Sequence, residues 1–356
     1  MKKRFFTIPI VLGLFLLQGL FLSAEAAKKP VDVVIMTTPF GSSMYNIGAA
    51  FEQVFKKSGS WVHIKHQETA GAMYMYRYAA KNREKMKTGE VAHTIIVGGI
   101  GSVPHLQEGR WPFKKIPWPT TKTLVSTAAL VGFYGTFDPK IKTTADFAGK
   151  RVCTQERARV FLGLFLDKPL FGKGLGIYKQ IKWAPLGDVG CKDALLNGKV
   201  DVTRLSFGGM MRIAKDGTYV VPFMAPSPTT LEIMSSGRDL HMIPIEPDLM
   251  KRSYDFSKDI IVHPSLIKKG AVKGLKEDIW ARAGFGLIHC DAGLPDDIVE
   301  EIVRVRHEHR KEFGKLHASL KLFPGTPYPI GSPGKYVHPG VIKAMNKLGY
   351  PIPAGQ

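Results

Sequence analysis

Two kinds of residue in this chain have the chemistry to hold an anion. The first is the turn Gly41-Ser42-Ser43 in "TTPFGSSMYNIGAAF", which follows an apolar run and precedes a helical pattern. A glycine there lets the backbone come close to a bound group, the two hydroxyls can donate, and the first amides of the following helix have no partner within it. That combination suits a small anion, a carboxylate above all. Helix capping by Ser42 or Ser43 is the structural alternative. The second kind is arginine. Arg157 and Arg159 stand two apart in "TQERARVF", just past a strand. In an extended segment both project the same way and form a double guanidinium clamp. If a helix has begun, they diverge and only one faces a ligand, or both belong to an exposed basic helix start. Arg204, near the end of the strand-like "KVDVTRLSF", is a third candidate, the alternative being a surface ion pair with Glu156 or Asp188.

Other chemistry finds little support. There is no Gly-x-Ser-x-Gly elbow, Walker loop, dinucleotide fingerprint or His-Glu-x-x-His pair. "HEH" at His307 to His309 resembles a metal pair, but residues two apart on a helix point to different faces. His309 falls into an apolar stripe with Ile298, Ile302, Val305, Phe313 and Leu316, which reads as a packed histidine. Cys290 beside His289 is a poor nucleophile and base, since neighbours on a strand face opposite sides. Cys153 and Cys191 either close a disulfide in an oxidising compartment or stay two separate buried thiols, with the thiols the favoured reading. No metal and no cofactor are expected. The formal charge of +20 is carried by dispersed Lys and Arg, with no zinc-finger spacing and no RNA-binding aromatic signature. This argues against nucleic acid as partner and leaves a bias towards anionic ones.

The elements that must position these groups follow from periodicity. Residues 1–26 combine Lys2, Lys3 and Arg4, an apolar run from Phe5 to Leu22, and Ala24-Glu25-Ala26, the pattern of a cleavable secretory signal peptide, which implies a periplasmic protein. Without them the charge falls to +18. "VDVVIMTT" and "WVHIKHQET" read as strands, and "MYNIGAAFEQVFKKSG" and "MYMYRYAAKNREKMKTGE" as helices, before the strand "AHTIIVGG". Such alternation implies a parallel α/β sheet. A second αβ series starts near residue 134, and a long helix over "LPDDIVEEIVRVRHEHRKEFGKLHASLKLF" follows later. The strand-like segments "TLVSTAALVGFYG" and "IWARAGFGLIHC" can carry the chain out of one lobe and back. We therefore expect lobe I from 27–133 and 281–356, and lobe II from 134–280. Ligands of such architectures sit in the cleft at the carboxyl ends of the strands.

The order of several segments resembles the TAXI family, the solute-binding subunits of tripartite ATP-independent periplasmic (TRAP) transporters. "TTPFGSSMYNIGAAF", "QETAGAMYMYRYAAKNREKMKTGE", "IKTTADFAGKRVCT", "CKDALLNGKVDV", "LHASLKLF" and "YVHPGVIKAMNKLGY" are similar to its successive motifs over nearly the whole chain after the leader. The resemblance implies a type II periplasmic-binding fold and a monomer that closes on a small solute and delivers it to membrane permease subunits. It adds Tyr45, Thr69 and Gly71 to the ligand-binding candidates. Where the family has small Gly and Ser residues, this chain has Gln155, Glu156, Arg157 and Arg159, and "MMRIAKDGTYVVPFMAPS" from Met210 to Ser227 has the look of an insertion. An organic anion, with one or two carboxylates held between the Gly41 to Ser43 turn on one lobe and Arg157 or Arg159 on the other, is the expected solute. An exported enzyme on the same architecture is the alternative.

Overall fold

The computed structural model describes residues 28–99, 102–110, 113–154, 166–255, 262–350 and 352. The leader and Gln155, Glu156, Arg157 and Arg159 lie outside them.

The chain opens with strand β1 (Val31–Thr37), helix α1 (Ser43–Ser58), β2 (Val62–Glu68), α2 (Ala72–Lys87), β3 (His93–Gly99), α3 (Ser102–Gln107) and β4 (Thr121–Ser126). β1 pairs in parallel with both β2 and β3, as crossover helices require. α1 forms because Ile47, Phe51, Val54 and Phe55 recur on one face and are buried against the sheet. Its start is fixed by Ser42, and its end by Gly59 at φ 68°, a conformation costly for residues with a Cβ.

A second series follows: β5 (Ala129–Thr136), β6 (Arg151–Thr154), β7 (Lys182–Pro185), α4 (Gly187–Leu196), β8 (Val202–Ile213), β9 (Tyr219–Pro226), α5 (Pro228–Met234), β10 (His241–Ile243), α6 (Pro247–Ser253), β11 (His263–Ile267) and β12 (Ile279–Gly284). These strands make a sheet of order β10-β5-β12-β11-β9-β8-β6-β7. β5 also pairs with β8, so β5, β12, β11, β9 and β8 close into a ring. Met210 to Ser227, which the sequence marks as insertion-like, is the end of β8 and the returning strand β9.

Strand β13 (Gly286–Asp291) takes the chain back into the first sheet, of order β2-β1-β3-β13-β4, where it runs antiparallel to both neighbours. Each expected crossing segment is thus two strands, one per sheet, β4 then β5 and β12 then β13. Positions 134 and 280 fall inside β5 and β12. The two crossings touch: Thr127 N donates to Gly286 O at 2.9 Å, and a Cβ at Gly286 would stand 2.1 Å from Ala128 O. Glycine is required there for that close approach.

Two sequence expectations are corrected here. The long C-terminal helix is broken: α7 (Asp296–Glu308) stops at His309, and α8 (Arg310–Leu316) and a 3-10 turn (Ala318–Leu322) follow before α9 (Pro339–Lys347). His309 is consequently a partly exposed cap rather than a packed stripe residue, and Leu316 is 36% exposed. Past the break, Phe313 packs against the rings of Phe51 and Phe323, with centroids at 4.9 and 5.4 Å. Secondly, Cys153 at the end of β6 and Cys191 on α4 form a disulfide, with Cα atoms 5.5 Å apart, instead of two thiols. Cys290 is free and buried.

Candidate functional site

Between the two sheets lies a cavity of about 150 Å3, lined from the first by the start of α1 and from the second by β5, β8, β12 and α5. Strand register explains its polar floor. Gly132 on β5 stands opposite Ser206 on β8 and Arg282 on β12, and Tyr134 stands opposite Arg204. Because side chains two apart share a face, Arg204, Arg282, Ser206 and Tyr134 all project from one side of this sheet. Gly132 leaves the room between them: a Cβ there would be 3.6 Å from Arg282 Nε and 3.9 Å from Arg204 Nη2.

Beneath the two guanidinium groups sits Asp167, only 1% exposed. Tyr134 Oη donates to its Oδ1 at 2.5 Å, Arg282 Nη2 to the same oxygen at 3.2 Å, and Thr154 Oγ1 to Oδ2 at 3.1 Å. Arg204 Nη1 is 3.9 Å from Oδ2, an ion pair without a hydrogen bond. Burial lowers the Arg204 pKa and Asp167 opposes this. Burial also acts against Arg282, but Tyr134 and Asp167 outweigh it and raise its pKa. Both arginines are cations at neutral pH. Asp167 is thus the enclosed counter-charge to both, and Asp188, in the first turn of α4, adds a partly exposed carboxylate at the lining.

Several donors of this cluster have no hydrogen-bond partner among the described residues although they are buried: Arg204 Nη1, Arg282 Nε and Nη1, and, facing the cavity from the other sheet, Ser43 Oγ. Buried donors of this kind ordinarily find an acceptor. The N-terminal turn divides its work between neighbours. Ser42 is the cap, accepting from Tyr45 N at 3.2 Å, donating to Pro39 O at 2.8 Å and lying 2.7 Å from Thr38 Oγ1. Ser43, one residue on, is left without a structural duty.

Of the sequence-derived candidates, the cavity lining gathers Ser42, Ser43 and Arg204. Gly41, at φ +87°, meets the opposite lobe instead. Thr229 Oγ1 donates to its carbonyl at 3.3 Å, and a Cβ would stand 3.1 Å from Thr229 Cγ2. Tyr45 is not in the lining and packs edge-on against Phe40 and His66. Thr69 Oγ1 donates to Thr37 O at 2.7 Å and accepts from Gly71 N at 3.3 Å, so these two shape the entry to α2. Gln155, Arg157 and Arg159 lie outside the described residues. Arg204 is largely buried rather than at the surface, with its side chain 14% exposed and the Asp167 carboxylate 3.9 Å away; Glu156, one partner considered for it, lies outside the described residues. Sequence reading missed Asp167, Arg282 and Gly132. For Arg282 a signal existed, a lone charge inside the apolar "IWARAGFGLIHC", since a charge buried in a strand needs a partner.

No protein-family model matches the chain, and no curated protein matches it. Among solved structures it is similar to MatC from Rhodopseudomonas palustris with bound malate, at 14% identity over 90% of this chain and 96% of that one, with a TM-score of 0.48. It is also similar to the periplasmic sulfonate-binding protein SsuA from Methylobacillus flagellatus KT, at 13% identity over 90% and 96%, TM-score 0.47. A third is the periplasmic binding protein BugD, at 14% identity over 90% and 98%, TM-score 0.43. Likenesses this distant carry no inference about solute or partner. The two-sheet α/β architecture stands on the strand order itself.

Proposed function

We propose that this protein is a periplasmic solute-binding receptor that takes a small organic anion by its carboxylate between two lobes and hands it to the membrane permease of a TRAP-type transporter. The observation that carries the reading is the set of buried donors without partners among the described residues, Arg204 Nη1, Arg282 Nε and Nη1 and Ser43 Oγ, converging on one cavity from both sheets. A carboxylate has the acceptor geometry that guanidinium groups match, and a charge-assisted bond there exceeds a neutral one. Lobe closure completes the site, because Ser43 and the arginines belong to different sheets. The transporter type rests on the order of TAXI-like motifs along the sequence. The Arg157 and Arg159 clamp lies outside the described residues, and nothing in the reading depends on it.

The test is to denature the purified protein and identify small molecules released from it by mass spectrometry, then to titrate the recovered compound by calorimetry. An unmodified carboxylate that binds again with one-to-one stoichiometry is the expected result. A neutral compound, or one converted on incubation with the protein, would overturn the reading.

A further inference from the structure

Resting on that reading, we infer that the solute is a monocarboxylate with a compact apolar body, and that dicarboxylates are excluded. The inventory of polar groups around the cavity leads to this class. Thr38 Oγ1 is engaged with Ser42, whose own oxygen makes three contacts. Thr229 bonds across the cleft to Gly41, and Thr230 Oγ1 accepts from Ser206 N at 2.9 Å and from Ser227 Oγ at 3.1 Å. Tyr76 is hydrogen-bonded to Ser102, and Asp188 has an interaction of its own. Among the described residues, what is left for a ligand is the group of Ser43, Ser206, Arg204 and Arg282, with Ser206 on the same face as the two arginines, enough for one carboxylate. Much of the remaining lining is hydrocarbon, including Met44, Leu130, Leu166, Ile233, Val262 and Phe285.

A second carboxylate in such surroundings would lose its hydration without gaining donors, which is costly. The size agrees with a small body: the cavity, about 150 Å3, is of the order that accepts a benzene-sized molecule.

Three probes of nearly the same shape decide it by calorimetry with the full exported chain, stripped of any bound solute. 4-Methylpentanoate presents one carboxylate and two terminal methyl groups. Butanedioate replaces those methyl groups by carboxylate oxygens. 4-Methylpentanamide keeps the body and removes the charge. The expected order is 4-methylpentanoate tighter than butanedioate by about tenfold or more, with the amide weaker than the acid by a similar factor. Butanedioate binding as tightly as 4-methylpentanoate overturns the monocarboxylate class and leaves the anion receptor standing. The amide binding as tightly as the acid overturns the receptor reading itself. No binding by any probe at millimolar concentration overturns the class, and the solute released on denaturation then reports on the receptor reading separately. Gly132→Leu provides a structural control: its side chain enters the floor between the two guanidinium groups and should abolish 4-methylpentanoate binding while circular dichroism stays unchanged.

Discussion

Arg204 and Arg282 share Asp167 but should fail differently when replaced, and the difference can be worked from their contacts. In Arg204→Gln, Asp167 keeps Arg282 Nη2 at 3.2 Å, Tyr134 Oη at 2.5 Å and Thr154 Oγ1 at 3.1 Å, so the buried carboxylate stays satisfied. The 3.9 Å separation between Arg204 and Asp167 contributes no hydrogen bond, and the fold should lose less than about 1 kcal/mol. Binding loses one charge-assisted donor to the solute carboxylate, about 1.5–3 kcal/mol, or roughly 10- to 150-fold in Kd. In Arg282→Met the carboxylate loses its hydrogen-bonded cation while remaining 1% exposed, which costs about 3–5 kcal/mol of stability in addition to the binding loss. Urea unfolding followed by tryptophan fluorescence gives the stability difference, and calorimetry with 4-methylpentanoate or the recovered solute gives the affinity. Normal affinity in Arg204→Gln would show that its guanidinium does not meet the solute. Unchanged stability in Arg282→Met would refute the account of Asp167 as a buried charge held by that arginine.

Other expectations concern the turn, the lobe contact, the disulfide and pH. Ser43→Ala should weaken solute binding by about 1–3 kcal/mol with an unchanged melting temperature, because Ser42 does the capping, whereas Ser42→Ala should cost about 1 kcal/mol of stability. Gly41→Ala forces a Cβ onto φ +87° and towards Thr229, so closure should cost about 1–2 kcal/mol, read as weaker binding and as a larger radius in small-angle scattering at saturating solute. Cys153→Ser with Cys191→Ser opens a loop of sequence separation 38 and should lower stability by about 4 kcal/mol from chain entropy, measured by urea unfolding. His263, stacked on Tyr219 at 4.0 Å, has its pKa lowered by burial to about 4 from 6.5. Its neutral form is therefore favoured in the folded protein: its contribution is fully present above pH 6.5 and is lost as pH falls towards 4, by at most about 3 kcal/mol. His263→Phe should flatten that part of the stability profile, and an unaltered slope would assign it to other groups.

The local alphabet of the chain was legible. Ile47, Phe51, Val54 and Phe55 announce α1 by spacing, Gly59 its end, and the β-branched run at Val31 to Thr37 a strand in a parallel sheet, because each of these depends on neighbours within a turn or a pleat. The place of Arg204 on a strand was equally readable from a few residues. The assignment within the turn was not: Ser42 and Ser43 differ only in which way the first helical residue faces, and it is the second lobe that gives Ser43 its cavity.

Tertiary structure alone decided the partners of charge. Arg282 reaches Tyr134 and Asp167 across sequence separations of 148 and 115, since β5 lies between β12 and β8 and sets their side chains on one face. Likewise the periodicity of the C-terminal segment does not show the break at His309, beyond which Phe313 packs on Phe51 and Phe323. Sequence fixes periodicity because burial alternates along one element at a known period. A buried ion's counter-charge depends on which elements become neighbours, and that is settled only when the sheet closes.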